Sequence, residues 1–372
     1  MNIINLYEKY FDTQTKKIFE KLSESEYKIY LIGGLVRDML LGMPSQDIDI
    51  TVEGNAVEFA QSLECNILST HEDFGTVKIE LDGIYIDLAS TRTETYPRQG
   101  HLPVIETIGC PLKSDILRRD FTINSLAMSL NKQTFGEVID FTNGLADLEA
   151  KKMNVLHPQS FVDDPSRILR GLKYAQRLGF SLGEDTLKLQ NEYLSSINYD
   201  MSYKRIHQEF FKTQWNVSAF NEFINQGIYK LINPDAPTKF DFTEKTTDPL
   251  VYFTILLPDS RFELEKKERN IIETVRELVS FSSQSDFEIY KTFTSKNVEI
   301  AQALAILNNS CAKRYLNNLK DIKVLTSGKD LIELGLKPSK EFGKIFDKLV
   351  EKKLQNPTLT KEQELSFVKS LF

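Results

Sequence analysis

Cysteine, histidine and long apolar stretches are all scarce in this chain of 372 residues. The three cysteines, Cys65, Cys110 and Cys311, form no Cys-x-x-Cys pair, so neither a zinc site nor a disulfide framework is indicated. The four histidines are scattered and none is followed by aspartate, which argues against a His-Asp phosphohydrolase. No segment reaches the roughly 20 apolar residues of a membrane span, and no secretory signal is visible. We therefore expect a cytoplasmic protein without a membrane partner.

A positive net charge is lacking as well. The net charge of −7 argues against a basic nucleic-acid-binding protein, although residues 313–353 contain eleven Lys/Arg against six Asp/Glu. This local excess suits a solvated helical surface as well as a nucleic-acid contact, and charge alone does not separate the two. The length predicts two or more domains, with mixed α/β patterns first and helical patterns from about Leu148 onwards. No protein partner is indicated, and the oligomeric state stays open.

Two aspartates one residue apart, Asp47 and Asp49, are the most informative feature that is present. Ile48, Ile50 and Val52 alternate with polar residues, which predicts a strand over 47–52. Side chains at i and i+2 of a strand share a face, so both carboxylates would project together. Because they would repel each other, the pair predicts a site for a hard divalent cation such as Mg²⁺.

A hairpin follows, with Asp82-Gly83 as the turn between the predicted strands 76–81 and 84–88. In the returning strand the aliphatic residues share one face, which leaves Asp87 on the other. Asp87 could therefore join the Asp47–Asp49 pair if the strands are neighbours.

Gly33-Gly34 stands between a predicted strand at 29–32 and a predicted helix at 35–41. Such a pair permits a tight turn and a close backbone approach, and a helix start offers free N–H groups to a phosphate. Each feature is weak by itself. The order of strand, glycine pair, helix and carboxylate-bearing strand predicts a phosphate site beside a metal.

Two adjacent arginines, Arg118 and Arg119, precede Asp120 in the segment 117–124. We expect them to point in different directions, one towards a triphosphate and the other onto the surface, because guanidinium groups bind phosphate oxygens bidentately. The alternative is an ion pair with Asp120 at a helix start.

Residues 161–178 predict a helix with Pro165 in its first turn and Asp164 near the N-cap. Asp164 and Arg167 would lie one turn apart and could address the same ligand. Cytosine and adenine both present an amino donor beside a ring-nitrogen acceptor, so a carboxylate and a guanidinium could accept CTP and ATP and reject UTP and GTP. Capping and a surface ion pair are the alternative. The segment 202–209, with Arg205, is expected to brace this helix.

Taken together, these motifs resemble the class II tRNA nucleotidyltransferase family, which comprises CCA-adding enzymes, A-adding enzymes and bacterial poly(A) polymerases. The similarity covers the first 215 residues well. The segments that carry it are Gly33-Gly34-x-x-Arg37-Asp38, Asp47-x-Asp49, Arg118 to Asn124 and Asp163-Asp164-x-x-Arg167-x-x-Arg170.

The resemblance implies an α/β head of the polymerase-β-like nucleotidyltransferase type with a mixed sheet, followed by an all-α neck, body and tail in an elongated, seahorse-like shape. The implied boundaries are 1–147 for the head, 148–215 for the neck, 216–312 for the body and 313–372 for the tail. The tail and neck would hold tRNA.

The resemblance also implies roles for single residues. Asp47 and Asp49 would hold Mg²⁺, and Asp87 would be the third catalytic carboxylate. Asp164 and Arg167 would read the base. The other expected nucleotide-binding residues are Gly33, Gly34, Arg37, Arg119, Asp120, Asp163, Arg170 and Lys173. The segment from Arg92 to Pro103 resembles the flexible loop that members need for adding A.

The expected activity is template-independent addition of CMP and AMP from CTP and ATP to the tRNA 3′ end. Members commonly have Glu-Asp where this chain has Asp163-Asp164, and arginine in place of Lys173. The Asp-Asp form also occurs in A-adding members, so an enzyme that adds only A, or a poly(A) polymerase, is the alternative.

A metal-dependent sugar transferase could also use Asp-x-Asp but would not need Arg119 or the Asp164–Arg167 pair. A degenerate RNA-binding protein is a third possibility, disfavoured by the intact carboxylates.

Overall fold

The computed structural model describes residues 1–45, 47–243 and 245–372. The chain divides into two compact units, Met1–Glu209 and Phe210–Phe372. The four-domain division predicted from sequence stays a prediction, since the first unit combines the expected head with most of the expected neck.

The first unit is built on a mixed sheet of seven strands in the order β3-β4-β5-β2-β1-β8-β9. Its strands, together with those of two small two-stranded sheets, are β1 Lys28–Ile32, β2 Asp49–Glu53, β3 Asn66–His71, β4 Thr76–Leu81, β5 Ile84–Ser90, β6 Arg92–Thr95, β7 Val104–Ile108, β8 Ala127–Ser129, β9 Val138–Ile139, β10 Lys152–Met153 and β11 Ser181–Leu182. In the large sheet β2 and β5 run parallel, and the other neighbours run antiparallel. The predicted mixed sheet is thereby confirmed.

Ten α-helices begin among the described residues of the first unit, and the last of them runs across the boundary. They are α1 Ile4–Tyr10, α2 Thr13–Ser23, α3 Gly34–Leu40, α4 Ala56–Ser62, α5 Leu112–Leu117, α6 Gly144–Glu149, α7 Ser160–Asp163, α8 Ser166–Leu178, α9 Glu184–Ser195 and α10 Tyr203–Phe211.

Every regular element formed by the described residues of the second unit is a helix, as the sequence predicted. Its α-helices are α11 Val217–Asn225, α12 Pro249–Ile255, α13 Lys266–Leu278, α14 Asp286–Phe293, α15 Val298–Ile306, α16 Ser310–Arg314, α17 Gly328–Glu333, α18 Glu341–Gln355 and α19 Lys361–Lys369. None of the helices formed by the described residues is long and apolar enough to cross a membrane.

Strand β1 is apolar on both faces, and this decides what packs around the site. Ile29 and Leu31 lie in the main core, whereas Tyr30 and Ile32 pack with Leu112 and Ile116 of α5 on the opposite face. Successive side chains of a strand point to opposite faces, so a buried central strand needs a cover on each side. Helix α5 is that second cover, and the two arginines that follow it are thereby brought to the end of β1.

Two predicted elements differ from the structure. The strand predicted over 47–52 begins only at Asp49, so Asp47 precedes the strand instead of sharing its face. The helix predicted over 161–178 is two helices, α7 and α8, because Asp164 is extended and breaks the run. A residue before proline is sterically disfavoured in the α conformation, which explains the break ahead of Pro165.

Candidate active site

The parallel pairing of β2 with β5 sets Asp49 directly beside Asp87. The Asp87 amide donates to the Ile48 carbonyl at 2.9 Å, which fixes the two strands where the carboxylates project. Lys78 of β4 faces Asp87, with Nζ 3.4 Å from Oδ2. The predicted approach of Asp87 to Asp49 is therefore confirmed, and a lysine partly compensates its charge.

The Asp49 carboxyl is held in an unfavourable environment for its charge. Burial, the Asp87 charge and the Asp47 charge raise its pKa to about 6, although the charges of Arg119 and Lys78 act to lower it. A bound cation would relieve this repulsion. Among the described residues, no group of three or more His, Cys, Asp or Glu side chains could hold a metal ion. The Asp47 and Asp49 carboxylates, which line the same cleft, nevertheless suit a hard divalent cation, because such an ion can bind one or two carboxylates together with substrate phosphates and water.

The Gly33 turn joins β1 to α3 at the same end of the sheet. Gly33 has φ +68°, and a Cβ there would lie 3.3 Å from the Asn124 carbonyl oxygen and 3.6 Å from an Arg119 guanidinium nitrogen. Only glycine combines this conformation with so close an approach. Arg37 in α3 is 1% exposed, and its guanidinium bonds the Asp38 carboxylate and the Asn124 side chain.

Arg118 and Arg119 converge on one buried carboxylate, that of Asp115 in α5. Arg118 donates to one carboxylate oxygen at 2.6 Å, and Arg119 donates to the other at 2.7 Å. Burial alone would raise the pKa of Asp115, but Arg119 and Arg118 hold it below its ordinary value. The predicted divergence of the two arginines is therefore wrong. Sequence reasoning also missed Asp115, although its spacing of three and four residues from the arginines was a visible signal.

Asp120 pairs with Arg170, not with the adjacent arginines. Arg170 donates from Nε at 2.8 Å and approaches the same carboxylate oxygen with a terminal nitrogen at 2.6 Å. Burial would raise the pKa of Asp120, but the Arg170 charge holds it at about 2. Tyr174 completes the cluster, with its hydroxyl accepting from Arg170 at 3.0 Å. The alternative that the sequence left open, an ion pair of Asp120 with the adjacent arginines, is therefore wrong, because those arginines pair with Asp115 and the partner of Asp120 comes from α8.

The Asp164–Arg167 pair is fixed by neighbours on several elements. One Asp164 oxygen accepts from the Ser166 hydroxyl at 2.5 Å, and the other bonds Arg205 of α10. Arg167 donates to the Ser160 hydroxyl at 2.7 Å and to the Arg118 carbonyl at 2.8 Å. The expected bracing by the segment 202–209 is therefore seen directly at Asp164.

These groups line one cleft of about 520 Å³ in the first unit. The predicted residues that line it are Gly33, Gly34, Arg37, Asp47, Asp49, Arg119, Asp120, Asp164, Arg167 and Arg170.

Three predicted site residues, Asp87, Asp163 and Lys173, are not among the described residues that line this cleft. Lys173 bonds Glu209 at 2.7 Å, and burial raises the pKa of Asp163. Lining residues that the sequence did not single out include Phe74, Tyr174 and Arg177.

The segment resembling the flexible loop forms a two-stranded ribbon, β6–β7, whose tip is bonded to the rest of the first unit. The Gly100 amide donates to the Asp163 carbonyl at 3.0 Å, and the Gly100 carbonyl accepts from Ser202 at 2.8 Å. At its base, Glu94 accepts from Arg118 at 3.2 Å. Burial raises the pKa of Tyr96 to about 12. The ribbon therefore contacts both the arginine pair and the segment that precedes α8.

The chain is similar to several known proteins. The poly A polymerase head domain matches residues 29–154. An A-adding tRNA nucleotidyltransferase of Geobacter sulfurreducens is 30% identical over 92% of this chain but only 45% of its own length. That of Halalkalibacterium halodurans is 27% identical over 96% and 92% of the two chains. The chain thus spans under half the length of some curated relatives that it matches.

A CCA-adding enzyme of Lactobacillus delbrueckii subsp. bulgaricus is 30% identical over 91% of this chain and 92% of its own. Among solved structures, an apo CCA-adding enzyme has a TM-score of 0.81 at 26% identity, covering 100% and 99% of the two chains. The Thermotoga maritima CCA-adding enzyme complexed with tRNA has a TM-score of 0.77 at 26% identity, covering 100% and 98%. Since the alignments span nearly the whole chain and the motif residues meet in one cleft, the chain belongs to the class II family of CCA-adding and A-adding tRNA nucleotidyltransferases.

Proposed function

We propose that this protein transfers CMP and AMP from CTP and ATP to the 3′ end of tRNA and releases pyrophosphate. The observation that carries the proposal is the single cleft lined by the Asp47–Asp49 pair, by Arg119 and by the Asp164–Arg167 pair. These are the groups needed to hold a divalent cation, a triphosphate and a base at one place. A sugar transferase would not need the last two, and the family membership counts against it.

The proposed reaction is an in-line attack of the terminal ribose hydroxyl on the α-phosphate. A divalent cation held by Asp47 and Asp49, Mg²⁺ in our proposal, would lower the pKa of the hydroxyl and neutralise charge on the leaving group. Arg119 is suited to bind the triphosphate, since Asp115 fixes its guanidinium at 2.7 Å. Such fixed donors stabilise developing charge without reorganisation during the reaction.

Base selection is proposed to rest on Asp164 and Arg167. Each carboxylate oxygen has two acceptor positions and a guanidinium has five N–H donors, so both groups keep capacity for a ligand beyond their protein bonds. Both side chains are nearly buried, 3% and 4% exposed, and bonded on several sides. A base lacking the matching edge would leave one of these groups unpaired, which is how hydrogen-bonding sites reject analogues strongly.

Addition of only the terminal A is the second candidate. It is favoured by the A-adding relatives, which match over most of this chain at 27% to 30% identity. CCA-adding relatives match at the same level, however. The Asp163-Asp164 pair is compatible with both activities.

The deciding experiment offers the purified protein two tRNAs, one ending at the discriminator base and one ending in CC, with both nucleotides present. Sequenced products ending in CCA from the first tRNA support the proposal. Extension of the CC form alone supports A addition, and extension of neither contradicts both candidates. The Asp47→Ala variant is the matched control and should extend neither substrate.

A further inference from the structure

Phe74 is an aromatic residue at the wall of a cleft formed mostly by charged and polar groups. It lines the same cleft as Asp47 and Asp49 and is 40% exposed. A single exposed apolar side chain needs no explanation by itself. Tyr85, for example, is 59% exposed and faces a separate depression beside Tyr10. What distinguishes Phe74 is its place in the cleft and the way it is held.

The turn that carries Phe74 is anchored to β5. Gly75 has φ +59°, and a Cβ there would lie 2.8 Å from the Ser90 hydroxyl oxygen. The Gly75 carbonyl accepts from the Ser90 amide at 2.8 Å, and the Gly75 amide donates to the Glu72 carbonyl at 3.0 Å. The turn is thus seated directly against the strand, which restricts movement of the ring.

The Arg92 side chain supports the ring from the ribbon. Its guanidinium donates to the Phe74 carbonyl at 2.9 Å and lies over the ring, 5.7 Å from the centroid. A cation over an aromatic face is an attractive arrangement, and it orients the ring. Phe74 is therefore a positioned aromatic surface, supported by Arg92 and open in part to the cleft.

The distance of the Phe74 turn from the carboxylates suits the 3′ end of an RNA acceptor. Ser90, which anchors the turn, lies three residues beyond Asp87 in β5, and Asp87 pairs with Asp49. At about 3.3 Å per residue this places the turn on the order of 10 Å from the carboxylates. That separation is comparable with the extent of one nucleotide measured from its 3′ oxygen. The incoming base is assigned to Asp164 and Arg167 on another element.

We propose that Phe74 stacks on the base at the 3′ end of the RNA acceptor and so positions the attacking hydroxyl. This inference rests on the proposed function and adds a positioning residue to it. Stacking suits an acceptor end whose base changes as nucleotides are added, because every base has an aromatic face and sequence matters little.

The test compares Phe74→Ala with Phe74→Tyr, which keeps the aromatic face, and with Tyr85→Ala as the matched control. Phe74→Ala should raise KM for tRNA about tenfold or more while KM for CTP and ATP stays unchanged. Phe74→Tyr and Tyr85→Ala should resemble the unchanged protein. A tRNA ending in 2-aminopurine adds a readout independent of turnover, since stacking quenches its fluorescence.

Quenching by the unchanged protein that is lost only in Phe74→Ala supports the inference. Equal quenching in all variants, or a change in KM for the nucleotides, overturns it. If the unchanged protein extends tRNA and Phe74→Ala does so with the same KM, only the stacking role fails. If the unchanged protein neither binds nor extends tRNA, the proposed function itself fails.

Discussion

At the scale of single residues, Asp49 is a residue of the site whose negative charge lowers the stability of the folded protein. Its folded-state pKa of about 6 lies above the ordinary aspartate value of 3.8, so the folded protein binds this proton more tightly than the unfolded chain does. Ionised Asp49 therefore destabilises the folded state above about pH 6, and this penalty declines as the pH falls towards 4. We predict that Asp49→Asn raises the free energy of unfolding by about 1–2 kcal/mol at neutral pH.

Denaturant unfolding of the metal-free protein across that pH range measures the effect. The increase in the free energy of unfolding caused by Asp49→Asn should shrink towards zero near pH 4, where the unchanged protein is also protonated at this position. Asp49→Asn should also abolish nucleotide transfer. A variant that is less stable than the unchanged protein at neutral pH would contradict the prediction.

Asp115 is the residue whose removal should disturb both arginines together. It is 0% exposed and accepts from Arg118 and Arg119. Asp115→Asn would remove the charge that both guanidinium groups share, although Arg118 would keep its ion pair with Glu94 at 3.2 Å. Breaking one partner of such a buried pair costs about 3–5 kcal/mol. We predict that Asp115→Asn lowers the free energy of unfolding by an amount near the lower end of this range, since both arginines keep some exposure. The variant should also have a raised Kd for CTP, measured by calorimetry. An unchanged Kd in the folded variant would show that Arg119 does not depend on Asp115.

At the scale of elements, the β1–α3 turn should be sensitive to a single methyl group. Gly33→Ala must adopt φ +68° and place its Cβ 3.3 Å from the Asn124 carbonyl oxygen. The matched control is Gly42→Ala, where φ is +66° but no heavy atom of the described residues lies within 4 Å. Both variants should lose about 1–2 kcal/mol of stability from the backbone strain.

Only Gly33→Ala should also weaken nucleotide binding, because its methyl group presses on the segment that carries Arg119. Thermal unfolding and CTP titration of both variants measure the two effects separately. Equal CTP affinity in the two variants would mean that the close approach at Gly33 has no part in the site.

The same elements show how far sequence reasoning reached. Local signals, such as the Asp82-Gly83 turn and the alternation in 84–88, predicted the hairpin and the position of Asp87 correctly. Sequence reasoning brought Asp87 to Asp49 and the segment 202–209 to the helix after Asp164. It did not specify which side chains pair across distant segments, because spacing along a chain does not fix partners elsewhere. The pairing of Arg170 with Asp120 and the bond from Arg205 to Asp164 are pairs of this kind. The position of Asp47 was mispredicted because the alternation of apolar and polar residues begins ahead of the strand, which starts only at Asp49.

At the scale of the whole molecule, net charge and local charge point in opposite directions. The chain carries −7 overall, yet residues 313–353 have five positive charges in excess. Several of these cations already have partners, and Lys353 is 5% exposed and bonded to Glu364 at 2.9 Å. A cation neutralised in this way contributes little to binding a polyanion. The tail's proposed affinity for tRNA must therefore come from the exposed remainder.

Lys340 and Lys348 are exposed members of that remainder, and no ion pair of either is seen among the described residues. If the tail binds tRNA phosphates, Lys340→Gln with Lys348→Gln should weaken tRNA binding and reduce the slope of log affinity against log salt by about 1–2. The matched control, Lys9→Gln with Lys17→Gln, removes the same charge from exposed positions in the first unit. Filter binding over a range of KCl concentrations measures both slopes. Equal slopes for the two double variants would mean that these tail lysines lie outside the tRNA contact, because long-range charge alone would affect both pairs alike.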